Sequence, residues 1–137
     1  MPKVLIFAGA NGSGKTTLAA TVVEPASQFI NADSIRDTEG LSFIDAGKKA
    51  LVTIDECILR NESFSFETTM SGLGLLKRFK RLKGKGYDIT MFYLFAYPVR
   101  LLEERVKERV KKGGHEVRLF LFQYALYYRA DFGTGGL

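Results

Sequence analysis

Short apolar runs alternate with longer amphipathic stretches along this chain, and the alternation predicts strands separated by helices. Residues 3–8 form an apolar run that ends at a glycine, which is typical of a buried parallel strand. Residues 15–23 contain no helix breaker and predict the helix that follows. The other strand candidates are residues 28–31, 64–66 and 87–96.

Further segments carry apolar residues three and four positions apart, as an amphipathic helix requires. One starts at Gly47, one contains a basic cluster between residues 77 and 85, and one follows Pro98. Helices that alternate with strands favour parallel pairing and right-handed crossovers. The pattern therefore predicts a single three-layer α/β domain over residues 1–137, with a parallel central sheet and a functional site at the carboxyl edge of its strands.

Composition restricts the class of protein further. The 137 residues are 46% hydrophobic and 26% charged, which is enough apolar material for a folded core. The longest apolar run, residues 91–97, is much shorter than the roughly 18 residues that span a bilayer, and the N-terminus lacks the features of a secretory signal. The lone cysteine, Cys57, excludes an internal disulfide, and its spacing predicts a core thiol. We expect a cytoplasmic protein with no membrane partner.

The net charge of +5 first suggests a nucleic-acid partner. Much of the excess lies in one cluster, which contains Lys77, Arg78, Lys80, Arg81, Lys83 and Lys85. This cluster has no interleaved aromatic platform, and its apolar residues keep helical spacing. We interpret it as the solvated face of a helix, so nucleic acid is an unlikely partner. A basic surface would still attract anionic substrates.

A phosphate-binding pattern lies between the first predicted strand and the first predicted helix. Residues 9–16 read Gly-Ala-Asn-Gly-Ser-Gly-Lys-Thr and fit G-x-x-x-x-G-K-[ST], the P-loop or Walker A pattern. Glycines let the backbone N–H groups surround a phosphate, and the helix N-terminus adds positive potential. We expect Lys15 to reach the β- and γ-phosphates and the Thr16 hydroxyl to ligate Mg²⁺. The expected nucleotide-binding residues are Gly9, Ala10, Asn11, Gly12, Ser13, Gly14, Lys15, Thr16 and Thr17.

This phosphate loop, residues 9–16, does not by itself identify a reaction. The chain has no N-K-x-D guanine reader and no L-S-G-G-Q motif, and its long apolar strand ends in Tyr-Pro rather than Asp-Glu. These features disfavour a GTPase switch and a transporter-type ATPase. A small-molecule kinase needs only the loop, a carboxylate that deprotonates the acceptor, polar groups that hold it, and cations for the phosphoryl group.

Candidate acceptor-binding residues follow two predicted strands. Asp33 comes after an apolar pair at a strand end and is the leading candidate for the base, although it could also cap the next helix. The acceptor segment, Glu67, Thr68 and Thr69, follows the third strand candidate, where an ordinary turn and cap is the alternative interpretation.

Two arginines near the C-terminal part of the chain are candidates for stabilising the transferred phosphoryl group. Arg105 and Arg109 are four residues apart and share one helical face, which either points at the nucleotide or lies in solvent, paired with glutamates. His115 follows two glycines and forms no metal-binding pattern with the lone cysteine, so no chemistry is assigned to it.

Taken together, these segments resemble the zeta-toxin family of P-loop kinases, especially its small bacterial members. GANGSGKTTLA resembles the phosphate loop, FINADSI the acidic motif, FSFETTMSG the acceptor segment and RVKERVKKGGHEV the arginine-bearing helix. The resemblance implies a P-loop kinase-like fold, ATP and Mg²⁺ as cofactors and, as in characterised toxins, phosphorylation of the sugar 3′-hydroxyl of UDP-N-acetylglucosamine. It also implies that an antitoxin protein could be a partner. An ATP-binding or ATP-hydrolysing regulatory module without an acceptor is the alternative.

The resemblance also assigns roles by position. Lys15 and Thr16 would serve ATP and Mg²⁺, and Asp33 would be the base. The expected catalytic residues are Lys15, Asp33, Arg105 and Arg109, and the expected acceptor-binding residues are Asp33, Arg36, Glu67, Thr68 and Thr69.

The chain departs from the family pattern at two places. Ala10 stands where small members often have proline, which leaves its backbone N–H available. After residue 117 the family usually continues with an arginine-rich helix, whereas this chain passes directly to an aromatic-rich segment, residues 118–132. We therefore expect a lid region after about residue 117 to be shortened or missing, which would affect closure over the substrate.

Overall fold

The computed structural model describes residues 1–10, 13–69, 74–95, 117–123 and 126–132. The strands are β1 (Lys3–Gly9), β2 (Phe29–Ile30), β3 (Phe64–Thr68), β4 (Asp88–Phe95), β5 (Val117–Gln123) and β6 (Leu126–Phe132). The helices are α1 (Lys15–Val22), α2 (Ala32–Glu39), α3 (Phe43–Leu59) and α4 (Gly74–Gly84). Within these ranges, no helix is long and apolar enough to cross a membrane.

The strands form one six-stranded sheet in the order β2-β3-β1-β4-β5-β6. Strands β1 to β5 pair in parallel, and β6 adds an antiparallel edge strand next to β5. The α/β class and the parallel central sheet predicted from the sequence are confirmed. Because the carboxyl ends of the parallel strands share one edge, residues that follow β1, β2 and β3 are brought close together.

The two faces of the central strands have different neighbours. Val4, Ile6 and Ala8 of β1 lie on one face, where they join a buried cluster with Ile54, Cys57 and Ile58 of α3 and with Phe79 and Leu82 of α4. On the other face, the Phe7 ring stacks on Phe92 at 5.0 Å and meets Phe29 edge-on at 6.2 Å. Cys57 is a buried free thiol, as predicted.

Several element boundaries differ from the predictions for local reasons. Helix α3 begins at Phe43 rather than at Gly47, because the Ser42 side chain accepts a hydrogen bond from the backbone N–H of Asp45 at 3.1 Å and caps the helix there. Strand β3 continues to Thr68, so Glu67 and Thr68 belong to the strand end and their turn-and-cap interpretation is wrong.

The C-terminal part of the chain contains strands that the sequence did not predict. The junction between Val117 and Arg118, where we expected a missing stretch, lies inside the continuous strand β5. The predicted helix after Pro98, together with Arg105, Arg109 and His115, lies outside the described residues.

Helix α4 carries the basic cluster except Lys85, which follows the helix, and its amphipathic pattern is confirmed by the burial of Phe79 and Leu82. Arg78 and Arg81 each donate to the Asp55 carboxylate of α3 at 2.9 Å, which ties the two helices together. The interpretation of the whole basic cluster as solvent-exposed is wrong for Lys83, which is buried. Its residue is only 9% exposed, and within the described part of the chain its Nζ has no hydrogen-bond partner. Burial lowers the pKa of Lys83 to about 8.

Replacing Lys83 with methionine should therefore stabilise the protein at neutral pH. We expect Lys83→Met to raise the free energy of unfolding by about 1–3 kcal/mol near pH 7, because a buried, unpaired ammonium is removed. The pKa of Lys83 is about 8 in the folded protein against its ordinary 10.5, so wild type gains stability as the pH rises between these values. The advantage of the variant should shrink over the same interval, as measured by urea unfolding at several pH values.

The matched control is Lys80→Met, on the exposed side of the same helix. It should change the unfolding free energy by less than about 0.5 kcal/mol. Equal effects of the two substitutions would contradict the burial of the Lys83 ammonium as the cause.

Candidate active site

The turn from β1 into α1 can only be made with glycine at two positions. Gly9 has φ 144°, and a Cβ there would lie 2.4 Å from the Leu94 carbonyl oxygen. Gly14 has φ 97° and is the N-cap of α1, in the left-handed region that side chains disfavour. These glycines let the backbone of the phosphate loop approach β4 closely. Residues 11 and 12 of the loop lie outside the described ranges.

Lys15 is folded back over the phosphate loop. Its Nζ donates to the carbonyl oxygens of Gly9 at 2.6 Å and Ala10 at 2.9 Å. Burial lowers the pKa of Lys15, and the charges of Glu67 and Asp33 oppose this shift. The ammonium group is thus already positioned at the loop and held there by backbone oxygens.

The loop also contains an unsatisfied polar atom. The Ser13 hydroxyl oxygen is buried and has no hydrogen-bond partner in the described part of the chain. A buried hydroxyl without a partner is unfavourable in a folded protein unless a ligand or water completes its hydrogen bonding. Together with the glycine geometry, it fits a loop that receives an anionic group.

A hydrogen bond joins the start of α1 to the acceptor segment. The Thr16 hydroxyl donates to the Glu67 carboxylate, whose two oxygens lie 2.9 and 3.1 Å away. Glu67 reaches this position because β3 pairs in parallel with β1 and places it beside Phe7. Burial raises the pKa of Glu67, while the Thr16 hydrogen bond and the Lys15 charge act against the shift and the Asp33 charge adds to it.

Asp33 lies in the first turn of α2 but does not cap it. Asn31 is the N-cap, and its side-chain oxygen accepts from the backbone N–H of Asp33 at 3.0 Å. The alternative interpretation of Asp33 as the capping residue is therefore wrong. Its side chain is 63% exposed, with a guanidinium nitrogen of Arg36 at 4.0 Å. This leaves the carboxylate accessible at the edge of the sheet.

These groups line one open cleft of about 500 Å³. The lining residues are Gly14, Lys15, Thr16, Thr17, Asn31, Ala32, Asp33, Phe43, Glu67, Thr68 and Thr69. Most of the predicted site residues that lie within the described ranges therefore line this cleft. The lining does not include the predicted residues Gly9, Ala10, Ser13 and Arg36. The Arg36 guanidinium lies 4.0 Å from Asp33 and 3.5 Å from Asp37.

Three residues of the cleft, Asn31, Ala32 and Phe43, were missed by the sequence analysis. Asn31 could have been found, because asparagine directly before a helical segment is a preferred N-cap. Phe43 carried no comparable signal, since its exposure depends on how α3 is capped and placed.

In the described ranges, no group of three or more His, Cys, Asp or Glu side chains could hold a metal ion. Magnesium does not require such a group, because it usually keeps several waters and binds through one or two protein oxygens together with substrate phosphates. The Thr16 hydroxyl and the neighbouring Glu67 carboxylate are oxygen ligands of the type that Mg²⁺ prefers. The residues present therefore fit a phosphate-bound Mg²⁺.

Two solved structures share this fold. A chain from the PezAT chromosomal toxin–antitoxin system of Streptococcus pneumoniae matches with a TM-score of 0.59 and 16% identity, over 88% of this chain and 68% of its own length. A proposed kinase from Chloroflexus aurantiacus matches with a TM-score of 0.52 and 19% identity, over 82% of this chain and 68% of its own. At these identities the matches show the fold alone, which is the P-loop kinase-like fold that the zeta-toxin resemblance implied.

A closer relative is found by sequence. An uncharacterized protein of Haemophilus influenzae is 32% identical over 127 residues, which span 89% of this chain and 91% of the relative. This chain therefore belongs to the same family as the Haemophilus influenzae protein. No family model matches the chain.

Substitution of Gly9 should show how strictly the loop geometry is constrained. We expect Gly9→Ala to lower the free energy of unfolding by about 2 kcal/mol or more, because the added Cβ would collide with the Leu94 carbonyl and strain the backbone. Gly47→Ala in α3 is the matched control, since nothing lies within 4 Å of a Cβ built there. The control should stabilise the helix by up to about 1 kcal/mol. Urea unfolding measures both, and a Gly9→Ala variant as stable as wild type would contradict the close approach.

The half-buried carboxylate of Glu67 should make stability depend on pH. Its pKa is raised in the folded protein, so ionisation of Glu67 opposes folding above its ordinary pKa of 4.5. We expect Glu67→Gln to unfold at a higher temperature than wild type at neutral pH, and this difference to shrink as the pH falls to about 4, measured by thermal unfolding. Glu24→Gln, at an exposed position outside the cleft, is the control. A Glu67→Gln variant that is less stable than wild type at neutral pH would contradict burial as the dominant effect.

Proposed function

We propose that this protein is an ATP-dependent small-molecule kinase of zeta-toxin type. It transfers the γ-phosphoryl group to a hydroxyl of a nucleotide sugar such as UDP-N-acetylglucosamine. The observation that supports this most directly is the hydrogen bond between Thr16 and Glu67, since it joins the phosphate loop to the acceptor segment inside one cleft. A kinase must hold its phosphoryl donor and its acceptor side by side, which nucleotide binding alone does not require.

On the donor side, the backbone N–H groups of the phosphate loop bind the phosphates of ATP. Lys15 exchanges the carbonyl oxygens of Gly9 and Ala10 for phosphate oxygens, to which a cation binds more strongly. The Ser13 hydroxyl gains the hydrogen-bond partner that it otherwise lacks. Thr16 would be the protein ligand of Mg²⁺, which would supply positive charge against the phosphates when bound.

On the acceptor side, the two cleft carboxylates have different roles. Glu67 is engaged by Thr16 through both of its oxygens, so it orients the acceptor from a fixed position together with Thr68 and Thr69. Asp33 is exposed to the cleft and is the general base. The acceptor oxygen forms a bond to the γ-phosphorus, the bond to the bridging oxygen of ADP breaks, and the acceptor proton passes to Asp33.

The remaining parts of the proposal rest on the sequence. Arg105 and Arg109 are the arginines expected to stabilise charge on the transferred phosphoryl group. An antitoxin protein is the expected partner, by analogy with the toxin–antitoxin system to which the Streptococcus pneumoniae chain belongs. The proposed location is the cytoplasm, without nucleic-acid or membrane partners.

Replacement of Asp33 tests the reaction. With ATP, Mg²⁺ and a panel of UDP-sugars, nucleosides and free sugars, we expect wild type to phosphorylate a member of the panel. Asp33→Asn should reduce that rate about 100-fold or more, since the proton acceptor is removed. Asp37→Asn, on the same helix but outside the cleft, should retain wild-type activity.

Two results would overturn the proposal. An Asp33→Asn variant as active as wild type would remove Asp33 as the base. Release of ADP at the same rate with and without every acceptor in the panel would favour the regulatory ATP-hydrolysing module instead.

A further inference from the structure

Phe43 is an aromatic residue of the cleft whose ring is left in water. It lines the cleft together with Asp33 and the acceptor segment, and it is 67% exposed. Among the described residues, ring contacts join aromatic side chains of the sheet and its flanks, and none of them includes Phe43. The ring is therefore not part of the core that holds the fold together.

The position of Phe43 is determined by the corner between α2 and α3. Gly40 ends α2 with φ 65°, which turns the chain sharply. Ser42 then caps α3 through the N–H of Asp45, so that Phe43 becomes the first residue of the helix. An ion pair between Lys49 and Glu39 links the two helices. The ring is carried by a capped helix start and presented to the cleft at a defined place.

Exposure alone does not distinguish Phe43, but its location does. Ile44 is the next residue, is 68% exposed, and is not among the cleft-lining residues. The other side chains that line the acceptor side are polar or small, namely Asn31, Ala32, Asp33, Glu67, Thr68 and Thr69. A large flat apolar ring among groups suited to hydroxyls indicates a ligand that has both hydroxyls and a flat ring.

We propose that Phe43 is a specificity-determining residue that stacks on a planar heteroaromatic base of the acceptor. This inference rests on the proposed kinase function and assigns to the Phe43 ring the recognition of the base in the proposed nucleotide-sugar acceptor. Aromatic side chains stack on every base, because each base presents a flat π-face. Phe43 therefore selects acceptors that contain a base, and the polar residues of the cleft discriminate among the sugar groups joined to that base.

Direct binding tests this without requiring turnover. The full chain is saturated with a non-hydrolysable ATP analogue and Mg²⁺, so that the donor site is filled. It is then titrated calorimetrically with UMP, CMP, AMP and GMP, and with ribose 5-phosphate as the probe that lacks a base. We expect at least one nucleotide to bind about 5- to 150-fold more tightly than ribose 5-phosphate.

Three variants assign the preference to the ring. Phe43→Ala should abolish the preference for the nucleotide over ribose 5-phosphate, and Phe43→Tyr should restore it. Ile44→Ala, equally exposed and adjacent, should leave it unchanged. Because Phe43 is mostly exposed, each variant should keep the wild-type unfolding temperature and the wild-type affinity for the ATP analogue.

Each other outcome overturns the inference. Equal binding of ribose 5-phosphate and all nucleotides would exclude stacking on a base. A preference that survives in Phe43→Ala would exclude this ring as its source. If Phe43→Ala weakens binding of the ATP analogue and leaves nucleotide binding at the acceptor site unchanged, the ring belongs to the ATP-binding site. If Asp33→Asn keeps full transfer activity while Phe43→Ala loses the base preference, the kinase mechanism fails and the base-binding role of Phe43 remains.

Discussion

The register between β1 and β3 is the constraint on which the rest of the site depends. Strand β1 lies at the centre of the sheet, and its pairing places Phe7 beside Glu67 and Ile6 beside Phe66. Side chains alternate between the two faces of a strand, so a slip of one residue would turn Glu67 into the core under α3 and α4 and bring Phe66 out. Burial of the Phe64 and Phe66 rings on one face and the Thr16–Glu67 hydrogen bond on the other face both require the observed register. The packing of the core and the geometry of the cleft are thus set by a single pairing.

Local patterns predicted the parts of the site that are formed by neighbouring residues. The phosphate loop is an example, because its glycines, its lysine and its position between a strand and a helix are all visible within a few residues. The sequence left Asp33 open as an alternative cap of α2, whereas the cap is Asn31, two residues earlier; both residue types are preferred caps, and only the backbone geometry separates them. The early start of α3 at Phe43 depended on a serine cap that lay before the periodic apolar pattern.

Tertiary contacts account for what the sequence did not predict. The Thr16–Glu67 hydrogen bond joins residues 51 positions apart, and no periodic pattern of apolar residues in the sequence predicts such a long-range contact. Lys83 belongs to a run of basic residues that reads as a solvent face, yet its neighbours on the folded chain bury it. The same run supplies Arg78 and Arg81 to Asp55, so part of the basic excess connects two helices. Strands β5 and β6 lie in an aromatic-rich segment that lacks a clear alternation of apolar and polar residues.

The hydrogen bond between Thr16 and Glu67 has a consequence for the freedom of the hydroxyl group. A threonine hydroxyl that faces water rotates among several orientations, whereas this one has its hydrogen directed at a carboxylate. The lone pairs of the oxygen are therefore turned away from Glu67 before any ligand is bound. A cation that binds to this oxygen does not have to restrict a free rotor, so the loss of entropy on binding is smaller. In the proposed Mg²⁺ site, the Glu67 carboxylate would in this way support the Thr16 oxygen from outside.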